Sequence, residues 1–194
     1  MAAAKLFAER GLNVPLEEIA RRAGVGVATL YRRFPTRADL AAAAFERSMS
    51  KYTAAVDRAL ENPRAGDGFR GLIFDLGELQ ARDAGLRDLL TTSFPARSTI
   101  EQRTSEAVDK LKVLIGRGQA EGSVRPDLVV ADVVVMLLAN SGVLAATGTA
   151  APDAWRRFAA IMLDAFLTDA GAPLPDPPDE QQLRRSVALL TGSS

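Results

Sequence analysis

The chain contains neither cysteine nor histidine in 194 residues. The first absence excludes disulfides, thiolate metal sites and cysteine nucleophiles. The second excludes histidine-based triads, histidine metal clusters and a histidine pH switch. We therefore expect no cofactor and no metal. No basic–apolar–small signal peptide opens the sequence. The longest apolar stretch, residues 128–146, is interrupted by Asp132, Asn140 and Ser141, so no membrane span is expected and the cytoplasm is the expected location. What remains is 47% apolar and 25% charged, an ordinary globular composition with enough chain to bury a core. Catalysis by Ser–Lys or by paired carboxylates is still open at this point.

Net charge is zero, but it is unevenly spread. Residues 1–47 hold Lys5, Arg10, Arg21, Arg22, Arg32, Arg33, Arg37 and Arg47 against Glu9, Glu17, Glu18, Asp39 and Glu46, an excess of three positive charges. The remainder carries the same excess of negative charge. A basic head on an acidic body points one end toward a polyanion.

Helical periodicity runs through the whole sequence, with no sustained strand alternation. Residues 2–10 are Ala-rich and helical, and Gly11 is the expected stop. Pro15, Glu17 and Glu18 signal the start of a helix over 16–23, which Gly24 ends. A short helix over 27–34 is broken by Pro35. Thr36 and Asp39 form a capping pair for a long helix over 37–61, closed by Asn62-Pro63. Phe69, Leu72, Ile73, Leu76 and Leu79 stripe the next helix. Residues 85–93 predict a short one before Pro95. Val108, Leu111, Leu114 and Ile115 mark another, expected to be weakened by Gly116 and Gly118 and ended by Gly122. Pro126-Asp127 predicts the start of a nearly all-apolar helix to Thr147, buried on most faces. Trp155, Phe158, Ile161, Met162, Ala165 and Phe166 stripe the last major helix, over 153–170, which Gly171 ends. Four prolines in residues 172–182 predict an extended linker, and Leu183, Val187 and Leu190 a final short helix. The expected fold class is all-α with about nine helices: an N-terminal three-helix domain over 1–47, a helical bundle over 48–171, and a Pro-rich tail over 172–194.

Residues 16–34 have the arithmetic of a helix-turn-helix: a helix packed through Ile19, Ala20 and Ala23, a glycine turn with Val25, and a second helix anchored by Leu30 and Phe34. In that motif the second helix enters the DNA major groove. The run from Leu16 to Leu40, and most specifically Thr29-Leu30-Tyr31 followed by Phe34, Thr36 and Arg37, resembles the TetR family of transcriptional regulators across residues 4–47. Where that family usually has Ser or Thr before Leu16, this chain has Pro15. The family also usually carries a basic arm ahead of the Ala-Ala-Lys-Leu-Phe stretch, and this chain opens at Met1.

The resemblance implies a DNA-binding set of Val27, Ala28, Thr29, Tyr31, Arg32, Arg33, Thr36 and Arg37. Thr29 and Tyr31 would meet phosphates or base edges, and Arg37 would clamp a phosphate. Val27 and Ala28 would touch thymine methyls, and Arg32 would reach a guanine. The partner is double-stranded DNA with a palindromic operator. The resemblance also implies a homodimer through the last two major helices, with Trp155, Phe158, Met162 and Ala165 at the interface, and a small-molecule effector held in the bundle. Candidate effector residues are Phe69, Phe74, Phe94, Leu111, Met136 and Asn140. Because those faces lack a cluster of cations, the effector is expected to be neutral or weakly polar, unless Arg82, Arg87 or Arg97 supplies a countercharge. The expected function is a ligand-responsive transcriptional regulator, a repressor rather than an enzyme. The alternatives are a helical protein-binding adaptor and a carboxylate-dependent enzyme.

Overall fold

A computed structural model describes residues 2–10, 14–82, 99–167, 173–178 and 182. Eight helices occur among the described residues: α1 Ala2–Arg10, α2 Leu16–Ala23, α3 Val27–Arg33, α4 Arg37–Glu61, α5 Ala65–Arg82, α6 Thr99–Ala120, α7 Val130–Thr147 and α8 Ala154–Leu167. The all-helical class is as expected. Gly11, the helix over 85–93, Gly171 and the segment of Leu183, Val187 and Leu190 lie outside the described residues.

Local chemistry sets the head. Pro15 starts α2 without a side-chain cap, and its carbonyl receives the Glu18 and Ile19 N–H groups at 3.1 and 3.2 Å. The helix ends where Gly24 takes φ +69°. The Val25 N–H then closes on the Ala20 carbonyl and the Gly24 N–H on that of Arg21. That bond pair is a Schellman stop, which needs the left-handed residue glycine supplies. Leu6, Phe7, Val14, Leu16, Ile19, Ala20 and Leu30 are buried together with Leu40, Ala41 and Phe45 of α4. The Phe7 and Phe45 rings lie 6.0 Å apart. Ala23, expected to pack, is exposed, because the Schellman turn carries it to the outer side; Phe34 is only half-buried.

α4 continues out of the head and becomes one wall of the body. Met49, Tyr52, Ala55, Val56 and Ala59 are buried along its face toward α5 and α6. Burial pushes the Tyr52 phenol up to about 12. Its far end is held by side chains remote in sequence. Arg117 of α6 donates to the Leu60 and Asn62 carbonyls at 2.6 and 2.9 Å, and Glu121 accepts the Ala65 N–H at 2.8 Å. These contacts satisfy backbone groups that helix ends leave open. Phe69 of α5 meets Phe166 of α8 edge-on at 6.2 Å.

Three sequence expectations are corrected in the body. α6 runs unbroken through Gly116 and Gly118. Gly118 is where buried Val124, folding back after the helix, lies so close that a Cβ would collide with it. α7 begins at Val130 and not at Pro126-Asp127, because Asp127 is turned onto the Arg125 guanidinium. Asp132 instead receives the Val129 N–H at 2.9 Å and opens the helix. α7 is also less buried than its composition predicts. Val133, Met136, Leu137, Asn140 and Leu144 face inward, while Val135, Ala139, Gly142, Ala145 and Ala146 are exposed. By length and hydropathy α7 passes as a membrane span, but it packs on α5, α6 and α8.

Candidate nucleic-acid interface

α3 is anchored by one fully buried residue, Leu30, with Val27 packed against the core beside it, and presents its other side chains outward. Ala28, Thr29, Tyr31, Arg32 and Arg33 are exposed, and Val27 is half-buried. Tyr31 leaves 46% of its surface open, unusual for a ring on a seven-residue helix. Arg32 reaches Thr29 Oγ1 at 3.4 Å and Arg33 lies 5.9 Å from the Phe34 ring. Both contacts are weak, so both guanidinium groups stay at the surface. Six of the eight residues expected at DNA thus lie on one short helix.

The other two have structural duties at its edge. The Thr36 hydroxyl accepts the Asp39 N–H at 3.1 Å and donates to Asp39 Oδ2 at 2.7 Å, while the Thr36 N–H donates to the same oxygen at 3.0 Å. The reciprocal capping box read from the sequence is present, and it occupies the hydroxyl. Arg37 is half-buried and its Nη1 donates to the Val14 carbonyl. That bond ties the start of α4 to the segment before α2, so Arg37 holds the angle of the motif as well as standing beside α3. Arg21 stays on the outer face of α2, 3.6 Å from Glu18.

Of the candidate effector residues, Phe69, Leu111, Met136 and Asn140 are buried in the packed body, Phe74 is half-buried, and Phe94 lies outside the described residues, as do Arg87 and Arg97. Arg82 pairs with Glu78 at 2.6 Å on the surface of α5. A cavity of about 230 Å³ opens between α4 and α6, lined by Thr53, Asp57, Arg103, Glu106, Ala107 and Lys110. None of the expected residues line it. Its two cations are paired within the chain: Lys110 on Asp57, and Arg103 on Glu46 at 2.8 Å. The Asp57 bond holds Lys110 above its ordinary value, and the Arg103 bond holds Glu46 below its own.

The interface residues divide. Trp155 is core of its own chain, packed against Gly77 of α5, which leaves little of its ring for a second copy to touch. Arg156 covers the ring at 4.5 Å. Phe158 and Met162 are half-buried and Ala165 is exposed. Ile161 and Val135, which the expected set lacked, are 57% and 45% exposed. The stripe containing Ile161 was visible in the sequence, but which edge of it faces outward depends on where α5 packs. Gln80 was also missed. It stands four residues beyond Leu76 on the buried stripe of α5, so its position was readable as an inward polar residue.

A helix-turn-helix head with an outward second helix defines the class: a DNA-binding transcriptional regulator. Residues 1–44 match the sequence model of bacterial regulatory proteins, tetR family, so the TetR resemblance of the head holds. The whole described fold has solved counterparts. TetR transcriptional regulator SCO0520 from Streptomyces coelicolor is 27% identical, with a TM-score of 0.51, covering 87% of this chain and 96% of that one. FadR from Bacillus subtilis, solved with stearoyl-CoA, is 18% identical, with a TM-score of 0.64, covering 88% and 96%. AibR, solved with isovaleryl coenzyme A and operator DNA, is 21% identical, with a TM-score of 0.63, covering 86% and 94%. No curated protein sequence matches the chain.

Proposed function

We propose that the chain is a homodimeric, cytoplasmic transcriptional repressor that holds a palindromic operator and releases it on binding a small molecule. The observation that carries the reading is α3, a helix with one fully buried residue, Leu30, and Tyr31, Arg32 and Arg33 all set outward. Cations on such a helix neutralise phosphates, and its side chains reach base edges in the major groove. Support for an effector comes from AibR and FadR, of the same fold and solved with acyl-CoA ligands. Support for a two-fold partner comes from the apolar surface that α7 and α8 leave uncovered.

On this reading the domains are a DNA-binding unit over 1–47, an effector and dimerisation unit over 48–171, and a tail over 172–194. Two recognition helices must stand roughly 34–36 Å apart to read half-sites one turn apart. α4 spans both units as one unbroken helix, so a shift of its body end changes that separation. The effector moves the balance only by its difference in affinity for the two arrangements. The deciding experiment is selection of bound fragments from random DNA. A two-fold symmetric motif with one-turn spacing is expected; failure to enrich any fragment would favour the adaptor reading.

A further inference from the structure

Two buried amides, Gln80 and Asn140, join α5 to α7 inside a largely apolar body, with half-buried Ser141 beside them. Gln80, 0% exposed, donates both N–H groups of Nε2 to α7: one to the Leu137 carbonyl and one to Ser141 Oγ, each at 3.1 Å. Its Oε1 accepts from Asn140 Nδ2 at 2.7 Å. This fixes the direction of the Asn140 amide. Turning that amide over would set two carbonyl oxygens against each other, and amide orientation is assigned by such networks. Asn140 Oδ1 therefore faces away from Gln80. The residue is 1% exposed, and this oxygen has no hydrogen-bond partner. Native cores rarely keep a buried acceptor unmet, and each instance calls for a physical account.

We infer that Asn140 Oδ1 is the polar reading point of the effector site, and that the effector offers it a neutral hydrogen-bond donor, a hydroxyl or amide N–H, on an otherwise apolar body. The inference rests on the effector-responsive reading above and narrows it. One N–H of the Asn140 amide is committed to Gln80 and fixes its orientation, and Oδ1 is the atom left without a partner. A carboxylate or phosphate oxygen there would oppose Oδ1. An ammonium would need a countercharge, and the inward residues of α7 around it are Val133, Met136, Leu137 and Leu144. Asp132, two turns away, is turned to the Val129 N–H. A buried unpaired charge is far costlier than a buried hydroxyl.

The test uses straight-chain 1-alkanols of graded length, each with its methyl ether and its carboxylate. Thermal shift and release of the selected DNA fragment are read on the full chain. An alkanol is expected to stabilise the wild type and release DNA at a concentration about tenfold or more below that of its ether, the loss of one donor contact to a buried acceptor. In Gln80→Leu/Asn140→Leu, with folding checked by circular dichroism, alkanol and ether should act alike. Ethers or carboxylates matching the alkanols on the wild type would overturn the inference, as would discrimination surviving in the double variant. No alkanol response at all also counts against it and leaves Oδ1 to an internal water. The wild-type comparison decides even where the double variant does not fold. Failure of the regulator reading is seen separately, as thermal stabilisation by an alkanol of a protein that retains no DNA fragment.

Discussion

The two exposed faces of this molecule are built from opposite chemistry. α3 turns an aromatic hydroxyl and two guanidinium groups to solvent, while α7 and α8 turn out Val135, Ile161 and a row of alanines and glycine. The first face is stable in water and complementary to phosphate. The second is not a good water surface, and large apolar patches on soluble proteins mark interfaces. Its small residues also allow a helix of a second copy to approach closely. On the proposed reading the difference separates two tasks: DNA would be met by charge on a short helix, and assembly by contact area on two long, well-anchored ones.

Charging the apolar face breaks the comparison most strongly. Ile161→Asp is expected to raise the dimer dissociation constant at least 100-fold, because an unpaired charge would be buried between copies, at about 3 kcal/mol or more. Helix content of the monomer should persist, since the side chain is outside its core. Sedimentation of wild type and variant at micromolar concentration reads this directly; a monomeric wild type would dismiss the dimer. The milder counterpart is on α3. Arg32→Ala and Arg33→Ala should each weaken operator binding roughly tenfold, and each lost phosphate contact should lower the salt slope by about 0.9. Tyr31→Ala should weaken binding without altering thermal stability. An unchanged affinity and slope in all three would remove α3 from the interface.

The head was legible because its signals are short-range. Gly24 stops α2 through its own φ, Thr36 and Asp39 cap α4 three residues apart, and Ile19 and Ala20 fall on the packed face of α2 by periodicity. The ends of α2 and α4 are where the sequence placed them. The body was less legible because its decisions are long-range. Asp127 has an arginine partner two residues away and a backbone donor at Leu174, and together they take it out of the helix start. Trp155 is interior because Gly77, on another helix, leaves room for the ring. Gly118 reads as a helix breaker until Val124 is seen folded against it. Asn140 was noticed as the lone amide of an apolar helix. That its amide points its nitrogen at Gln80 and leaves its oxygen without a partner follows only from that residue, sixty positions away.

Thr36 sharpens the comparison by separating support of the α3 face from contact. Its hydroxyl is held within the cap, so Thr36→Ala should cost about 1 kcal/mol of stability, a fall in Tm of about 2–4 °C for a chain of this size. Thr36→Ser should restore most of it, since serine makes the same cap. Operator affinity should fall only as far as the head loosens, with the salt slope unchanged. A reduced slope in Thr36→Ala would instead make this hydroxyl a phosphate ligand.

The smallest expected effect lies at the edge of the apolar region, where the tail crosses the start of α7. Asp127 Oδ2 accepts from Arg125 Nη2 and from the Leu174 N–H, both at 2.9 Å. The Arg125 guanidinium first, and then the Leu174 N–H, hold its carboxyl at about 2, below the ordinary 3.8. A depressed carboxyl pKa means that the unfolded chain binds the proton first as pH falls. The contribution is complete above about pH 4 and fades as pH drops toward 2. Because the pair is only partly buried at the surface, the effect is modest and falls further with salt. Asp127→Asn should therefore melt slightly below wild type at pH 7, with the gap closing between about pH 4 and 2. Amide exchange at Leu174 should quicken in the variant at neutral pH. A Tm gap that stays constant down to pH 2 would mean that the side chain acts by shape and not by charge.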